Sequence, residues 1–244
     1  MKNTLSKYDS MIHPLGIDEV HIWKVKIERS ELFYECKSIL SDLELKKADF
    51  FKFSKDRNQY IISLGTLRIL IANYLGISPL KVKLGRHSKG KPYSLDDRSL
   101  FFNMSNSGGL CVFAFSRDSE IGVDIEKKRN LSDLQDLIKK NFTSSEIKFI
   151  TQDQNKKLER FFRFWTIKEA YLKAIGEGMR LTPDNLEFSI ERNKIKLVSR
   201  KGMFEYEDWI LKEFQPSDDF MGTIVYQNAK CNITEKWYSN YKNN

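Results

Sequence analysis

The sequence predicts an α+β fold made of two similar α/β halves in a pseudo-twofold arrangement, with the site of chemistry at their interface. Three observations carry this. An internal echo occurs at an offset of 100 residues: Thr66–Gly76 reads TLRILIANYLG and Thr166–Gly176 reads TIKEAYLKAIG. The order of elements repeats as well. Upstream, VKIE (Val25–Glu28) and VDIE (Val123–Glu126) alternate as strands do. Downstream, each helix meets a proline, Pro79 or Pro183, and then an alternating stretch, Val82–Leu84 or Leu186–Ile190. The third observation is size: 244 residues with 41% apolar content can bury a core without disulfide staples, and three cysteines form no paired framework.

The segments justify themselves in order. The N-terminus carries Lys2, Lys7, Asp9 and His13 before any apolar run, unlike a signal peptide, so a cytoplasmic location is expected. Tyr60–Ile77 is strongly apolar but interrupted by Ser63, Arg68 and Asn73; an arginine at mid-span is costly in a bilayer, so the stretch reads as a buried core helix and no membrane contact is expected. The turn-forming Ser116–Ser119 divides the halves at 1–118 and 119–244. IGVDIE (Ile121–Glu126) opens the second half as a strand. A helix starting near Leu158 places Phe161, Phe164, Trp165, Tyr171, Leu172 and Ile175 on a core stripe. The tail from residue 202 holds a strand-like piece, Gly222–Tyr226, expected to complete the second sheet before the polar end frays.

The copies differ where chemistry could reside. Lys26 stands where the second half has Asp124, and Ile69 where it has Glu169. Along a strand Asp124 and Glu126 share a face, about 6 to 7 Å apart along the backbone. They are either a polar face exposed to water or two oxygen ligands for a hard cation such as magnesium. Glu169 and Lys173, four apart on one flank of a helix, are either a solvated ion pair or the helix's share of the same site. Carboxylates, a divalent cation and lysines together suit a pyrophosphate, whose leaving charge they would stabilise. The net charge of +8 fits an acidic partner or merely a soluble surface.

These motifs resemble those of the 4′-phosphopantetheinyl transferases, specifically the larger two-half type. The family pattern Gly-x-Asp-x-Glu, followed about 40 residues on by Trp-[Ser/Thr]-x-Lys-Glu-x-x-x-Lys-x-x-Gly, is similar to GVDIE from Gly122 and WTIKEAYLKAIG from Trp165. Weaker agreement extends through FNMSNSG (Phe102–Gly108) and GKP (Gly90–Pro92). The resemblance implies transfer of phosphopantetheine from coenzyme A to a serine of an acyl or peptidyl carrier protein, for nonribosomal peptide, polyketide or fatty-acid synthesis. It implies Asp124, Glu126 and Glu169 as ligands of Mg2+, with Mn2+ as an alternative, and Lys168 and Lys173 as phosphate contacts, Lys173 on the leaving side. Lys91 carries over as a coenzyme A contact, with Lys47 and Arg57 at its 3′-phosphate and Ser105 and Asn106 in the phosphate turn. Asn106 stands where the family usually has histidine, and Gln59 where some relatives are basic. Glu146 matches a glutamate proposed as base for the incoming serine; it also completes a Thr143-x-x-Glu146 capping box. The doubled chain implies a monomer. The rival from another class is a noncatalytic coenzyme A or nucleic-acid binding module. Nucleic acid is not the expected partner, because the aromatics follow a core stripe and three converging acids repel a phosphate backbone.

Overall fold

The computed structural model describes residues 14–28, 30–176, 181–192, 194–201 and 208–238. The first half runs β1 (Glu19–Lys26), α1 (Ser30–Ile39), α2 (Asp42–Asp49), α3 (Ser54–Leu75), β2 (Leu84–Arg86), β3 (Pro92–Ser94), β4 (Phe101–Ser107) and β5 (Leu110–Ser116). The second repeats that order: β6 (Gly122–Lys127), α4 (Leu134–Asn141), α5 (Ser144–Thr151), α6 (Lys157–Ile175), β7 (Leu186–Glu191), β8 (Lys194–Arg200), β9 (Ile210–Phe214) and β10 (Phe220–Tyr226). The sheets repeat too. β1-β5-β4 and β6-β10-β9 have the same spatial order and are antiparallel throughout. The turns after Pro79 and Pro183 are short 3₁₀ segments with proline in the first turn, which needs no amide there.

One element departs from the expected plan. β11 (Asn232–Trp237) does not extend the second sheet; it returns to the first half and pairs in parallel with β1, from Glu19 opposite Asn232 to Lys24 opposite Trp237. The two runs of elements meet between Ser116 and Gly122, and the first sheet takes its edge strand from the end of the second run. The remainder of the expected fraying end, 239–244, lies outside the described residues.

Each half has a long central helix with its own core. Every residue of α3 from Ile61 to Ala72 is buried, which explains the apolar run; no helix among the described residues is long and apolar enough to cross a membrane. A β-carbon on Gly65 would lie 2.3 Å from Cys36 Cβ, so glycine is what lets α1 lie against α3. In the second half α6 packs Phe161, Phe164, Ile167 and Tyr171 against Ile138, Ile150 and Phe188. A third apolar layer joins the halves: Val20 and Ile22 of β1 and Val112 and Ala114 of β5 cluster with Val123 and Ile125 of β6 and Ile224 of β10. With Val123 and Ile125 committed to that layer, the alternation of a strand puts Asp124 and Glu126 on the opposite face.

Arg68 of α3 fixes the first half internally. Its guanidinium donates to both Glu44 oxygens, at 2.9 and 3.1 Å, and to the carbonyls of Val82 at 2.8 Å and Pro79 at 3.3 Å. Glu44 in turn accepts from the Ser41 amide that it caps at the start of α2.

Candidate active site

The face of β6 that carries the acids lies under α6. Contact is so close at Gly122 that a β-carbon there would sit 2.0 Å from the Ala170 carbonyl oxygen. Glycine thus lets helix and strand backbones meet, and brings Glu169 and Lys173 to the two strand carboxylates. Lys173 Nζ donates to Asp124 Oδ1 at 2.6 Å and to the Val123 carbonyl at 3.3 Å. Asp124, 5% exposed, also accepts from Ser105 Oγ at 2.7 Å, whereas its second oxygen is buried with no hydrogen-bond partner. Glu126 Oε2 accepts from Ser107 Oγ at 2.6 Å and from Arg129 at 3.3 Å. Burial first, and then the charges of Asp124 and Glu126, push the Glu169 carboxyl up despite the opposing Lys173 ammonium.

This donor set suits a hard cation: three carboxylates around a lysine, one of them keeping a desolvated, unbonded oxygen that a buried carboxylate otherwise does not tolerate. The expected convergence is incomplete, however. Among the described residues no group of three or more acidic, histidine or cysteine side chains is placed to hold an ion as it stands, and the positive charge beside Asp124 is the Lys173 ammonium.

Two cavities flank this point and share Pro92 and Met104 in their walls. One, about 560 Å³, belongs to the first half and is lined by Lys47, Arg86, Tyr60, Phe51, Gln59 and Asn106. The other, about 690 Å³, reaches into the second half and is lined by Lys89, Lys91, Glu169, Leu172, Lys173 and Leu181. In the first, Gln59 Nε2 donates to Asn106 Oδ1, so the two positions that depart from the family pattern are partners in one wall.

Several expected site residues have other work. Lys168 and Glu146 are each 1% exposed and bonded to each other at 2.6 Å. Lys168 Nζ also lies within 3.1 Å of the Asn141, Pro183 and Leu186 carbonyls. Glu146 accepts from the Thr143 amide at 2.8 Å and the Phe188 amide at 2.9 Å. This repeats the Arg68 arrangement part for part, with a capping glutamate, a basic helix residue and the carbonyls that follow a proline. Lys168, expected as a phosphate contact, and Glu146, expected as a base, are thus placed in one buried pair, with their charged atoms bonded to each other and to the main chain. Lys91 lines the second cavity, but its ammonium ties the halves together through Glu120 at 2.5 Å and the Ile121 and Ala174 carbonyls at 3.0 and 2.9 Å. Burial lowers its pKa, with Glu120 opposing. Ser105 faces Asp124 rather than a phosphate turn, and Arg57 is exposed and does not line the first cavity. Arg86 and Ser107 were not anticipated; the alternation Asn103, Ser105, Ser107 is the signal that could have marked the latter.

Residues 120–225 match the model described as the 4′-phosphopantetheinyl transferase superfamily, and residues 23–118 match that of the 4′-phosphopantetheinyl transferase N-terminal region. The chain is 38% identical over 217 residues to the 4′-phosphopantetheinyl transferase HetI of Nostoc sp., covering 85% of this chain and 87% of that protein. It is 29% identical over 174 residues to the L-aminoadipate-semialdehyde dehydrogenase-phosphopantetheinyl transferase of Homo sapiens, covering 66% of this chain and 56% of that one. A crystal structure of Thermotoga maritima holo-[acyl-carrier-protein] synthase superposes with a TM-score of 0.38 at 19% identity, over 43% of this chain and 61% of that one.

Proposed function

Because the chain belongs to the 4′-phosphopantetheinyl transferase superfamily, we propose that it moves phosphopantetheine from coenzyme A to the serine hydroxyl of an apo acyl or peptidyl carrier protein, releasing adenosine 3′,5′-bisphosphate. The observation that carries this is the meeting of Asp124 and Glu126 with Glu169 and Lys173 beside two cavities that share Pro92 and Met104 in their walls, with one Asp124 oxygen left unbonded.

Asp124, Glu126 and Glu169 would hold Mg2+, or Mn2+ in its place. The chemistry such an ion would supply there is positive charge for the diphosphate oxygens of the donor. Lys173 brings its ammonium to the same oxygens once these compete for it with Asp124, and stabilises the charge that develops on the leaving phosphate. The first cavity takes the nucleotide end, with Lys47 and Arg86 as the cations and Gln59 and Asn106 as neutral amide donors. The second cavity takes the pantetheine arm beside Leu172 and Leu181. Positioning the donor between the two halves supplies most of the rate in such a transfer. We place the reaction in peptide, polyketide or fatty-acid synthesis.

The test is incubation with coenzyme A, Mg2+ and a panel of apo carrier proteins, read by intact mass. The phosphopantetheine increment on a carrier, lost when Mg2+ is chelated, is the expected result. Tight coenzyme A binding with no increment on any carrier overturns the proposal and leaves a binding module.

A further inference from the structure

Resting on the metal assignment above, we propose that Ser105 and Ser107 of the first half are positioning residues that aim the carboxylates of the second. β6 is an edge strand of its own sheet, and a buried edge amide needs a partner. Side chains of β4 provide it. Asn103 Oδ1 accepts from the Val123 amide at 3.0 Å, Ser105 Oγ from the Ile125 amide at 3.3 Å, and Ser107 Oγ from the Lys127 amide at 3.1 Å. The spacing stays constant along both strands, so this is a ladder in parallel register with hydroxyls and an amide oxygen in place of main-chain carbonyls.

The serines do more than join the strands. A hydroxyl has one proton to give, and when a main-chain N–H occupies one lone pair the proton has few directions left. Ser105 gives its proton to Asp124 Oδ1 and Ser107 gives its proton to Glu126 Oε2. Each carboxylate is thereby held by a hydroxyl that is itself fixed by the next amide along the strand. For Asp124 the outcome is specific: Oδ1 is taken by Ser105 and Lys173, and Oδ2 is the unbonded oxygen. The first half thus donates no ligand and still decides which oxygen of the second half is free. Asn103 shows the joining function alone, since it bonds the Val123 amide and holds no carboxylate.

The test is a Mn2+ titration of the full chain with coenzyme A and no carrier protein, followed by electron paramagnetic resonance, beside thermal unfolding of each variant. Ser105→Ala and Ser107→Ala are expected to weaken Mn2+ binding about tenfold or more, as loss of a group orienting a metal ligand does. Ser107→Thr, which keeps the hydroxyl, restores it. Asn103→Ala lowers Tm and leaves Mn2+ affinity unchanged. If Ser105→Ala does not fold, the half-buried Ser107 carries the test. Ser107→Ala binding Mn2+ as the parent does, or Asn103→Ala weakening it equally, overturns the positioning role while the metal assignment stands. A parent chain that binds no Mn2+ overturns the metal assignment and this proposal with it.

Discussion

Lys168→Met separates a structural lysine from a phosphate-binding one. Methionine keeps most of the length and volume of the side chain and removes the ammonium. The change leaves the Glu146 carboxylate buried, still bonded to the Thr143 and Phe188 amides but without its counter-charge, and strips the Asn141, Pro183 and Leu186 carbonyls of a donor. Removing one member of a buried ion pair costs about 3–5 kcal/mol. In a chain of this size that corresponds to a fall in Tm of about 6–20 °C. The assay is urea denaturation and calorimetry, with coenzyme A affinity measured well below the transition. Stability should fall while affinity holds, and Lys168→Met combined with Glu146→Leu should recover much of the loss, since an apolar pair of similar volume can replace a buried ion pair. A variant as stable as its parent with markedly weaker coenzyme A binding would show that the ammonium reaches the donor phosphates and that the comparison with Arg68 misleads.

Three further outcomes follow from the packing. Burial raises the Glu44 carboxyl, but Arg68 and Ser41 together outweigh it and hold the group below its ordinary value of 4.5. Its stabilising share is therefore complete above about pH 4.5 and is lost as pH falls through the folded value, so Glu44→Gln should flatten the acid limb of a stability profile measured in urea. Gly122→Ala places a β-carbon 2.0 Å from the Ala170 carbonyl oxygen, and no flexible side chain can yield there. Its cost should exceed the about 1–3 kcal/mol of ordinary overpacking and carry transfer activity down with it, as equilibrium unfolding and the mass assay would report. Asn106→His should keep or tighten coenzyme A binding, more at pH 6 than at pH 8, because the imidazole is charged only at the lower value; calorimetry showing a marked loss at both would remove Asn106 from the donor site.

Much of the architecture was readable because it is written at short range. The helices α3 and α6, the strand β6 and the box at Thr143 all show in periodicity or in a spacing of three residues. The repeat gave the order of elements twice over. The partner of β11 was hidden, since nothing in Asn232–Trp237 says which distant edge it will meet. At the site, periodicity could place Asp124 and Glu126 on one strand face and Glu169 and Lys173 on one helix flank. It could not tell that Lys168 and Glu146 face the interior, because lysine and glutamate serve a buried pin and a phosphate site equally well. The clue lay in the first half: Ser41-x-x-Glu44 with Arg68 anticipates Thr143-x-x-Glu146 with Lys168 as the pin of a central helix.

The candidate site lies where the two halves stop resembling each other. Both keep the sheet order, the pinned central helix and the proline turn. They part at the free edges of β1 and β6. The β1 edge is closed by β11 through main-chain bonds, and beside it Lys26 is exposed and Ile69 is buried without charge. The β6 edge is closed by the short side chains of β4, which bring hydroxyls against Asp124 and Glu126 where a paired strand would bring only its backbone. A backbone ladder saturates an edge, whereas a side-chain ladder can satisfy the same amides and still present a proton to an acid. The acids come from β6 and α6 and the groups that aim them from β4, so neither copy holds the arrangement alone.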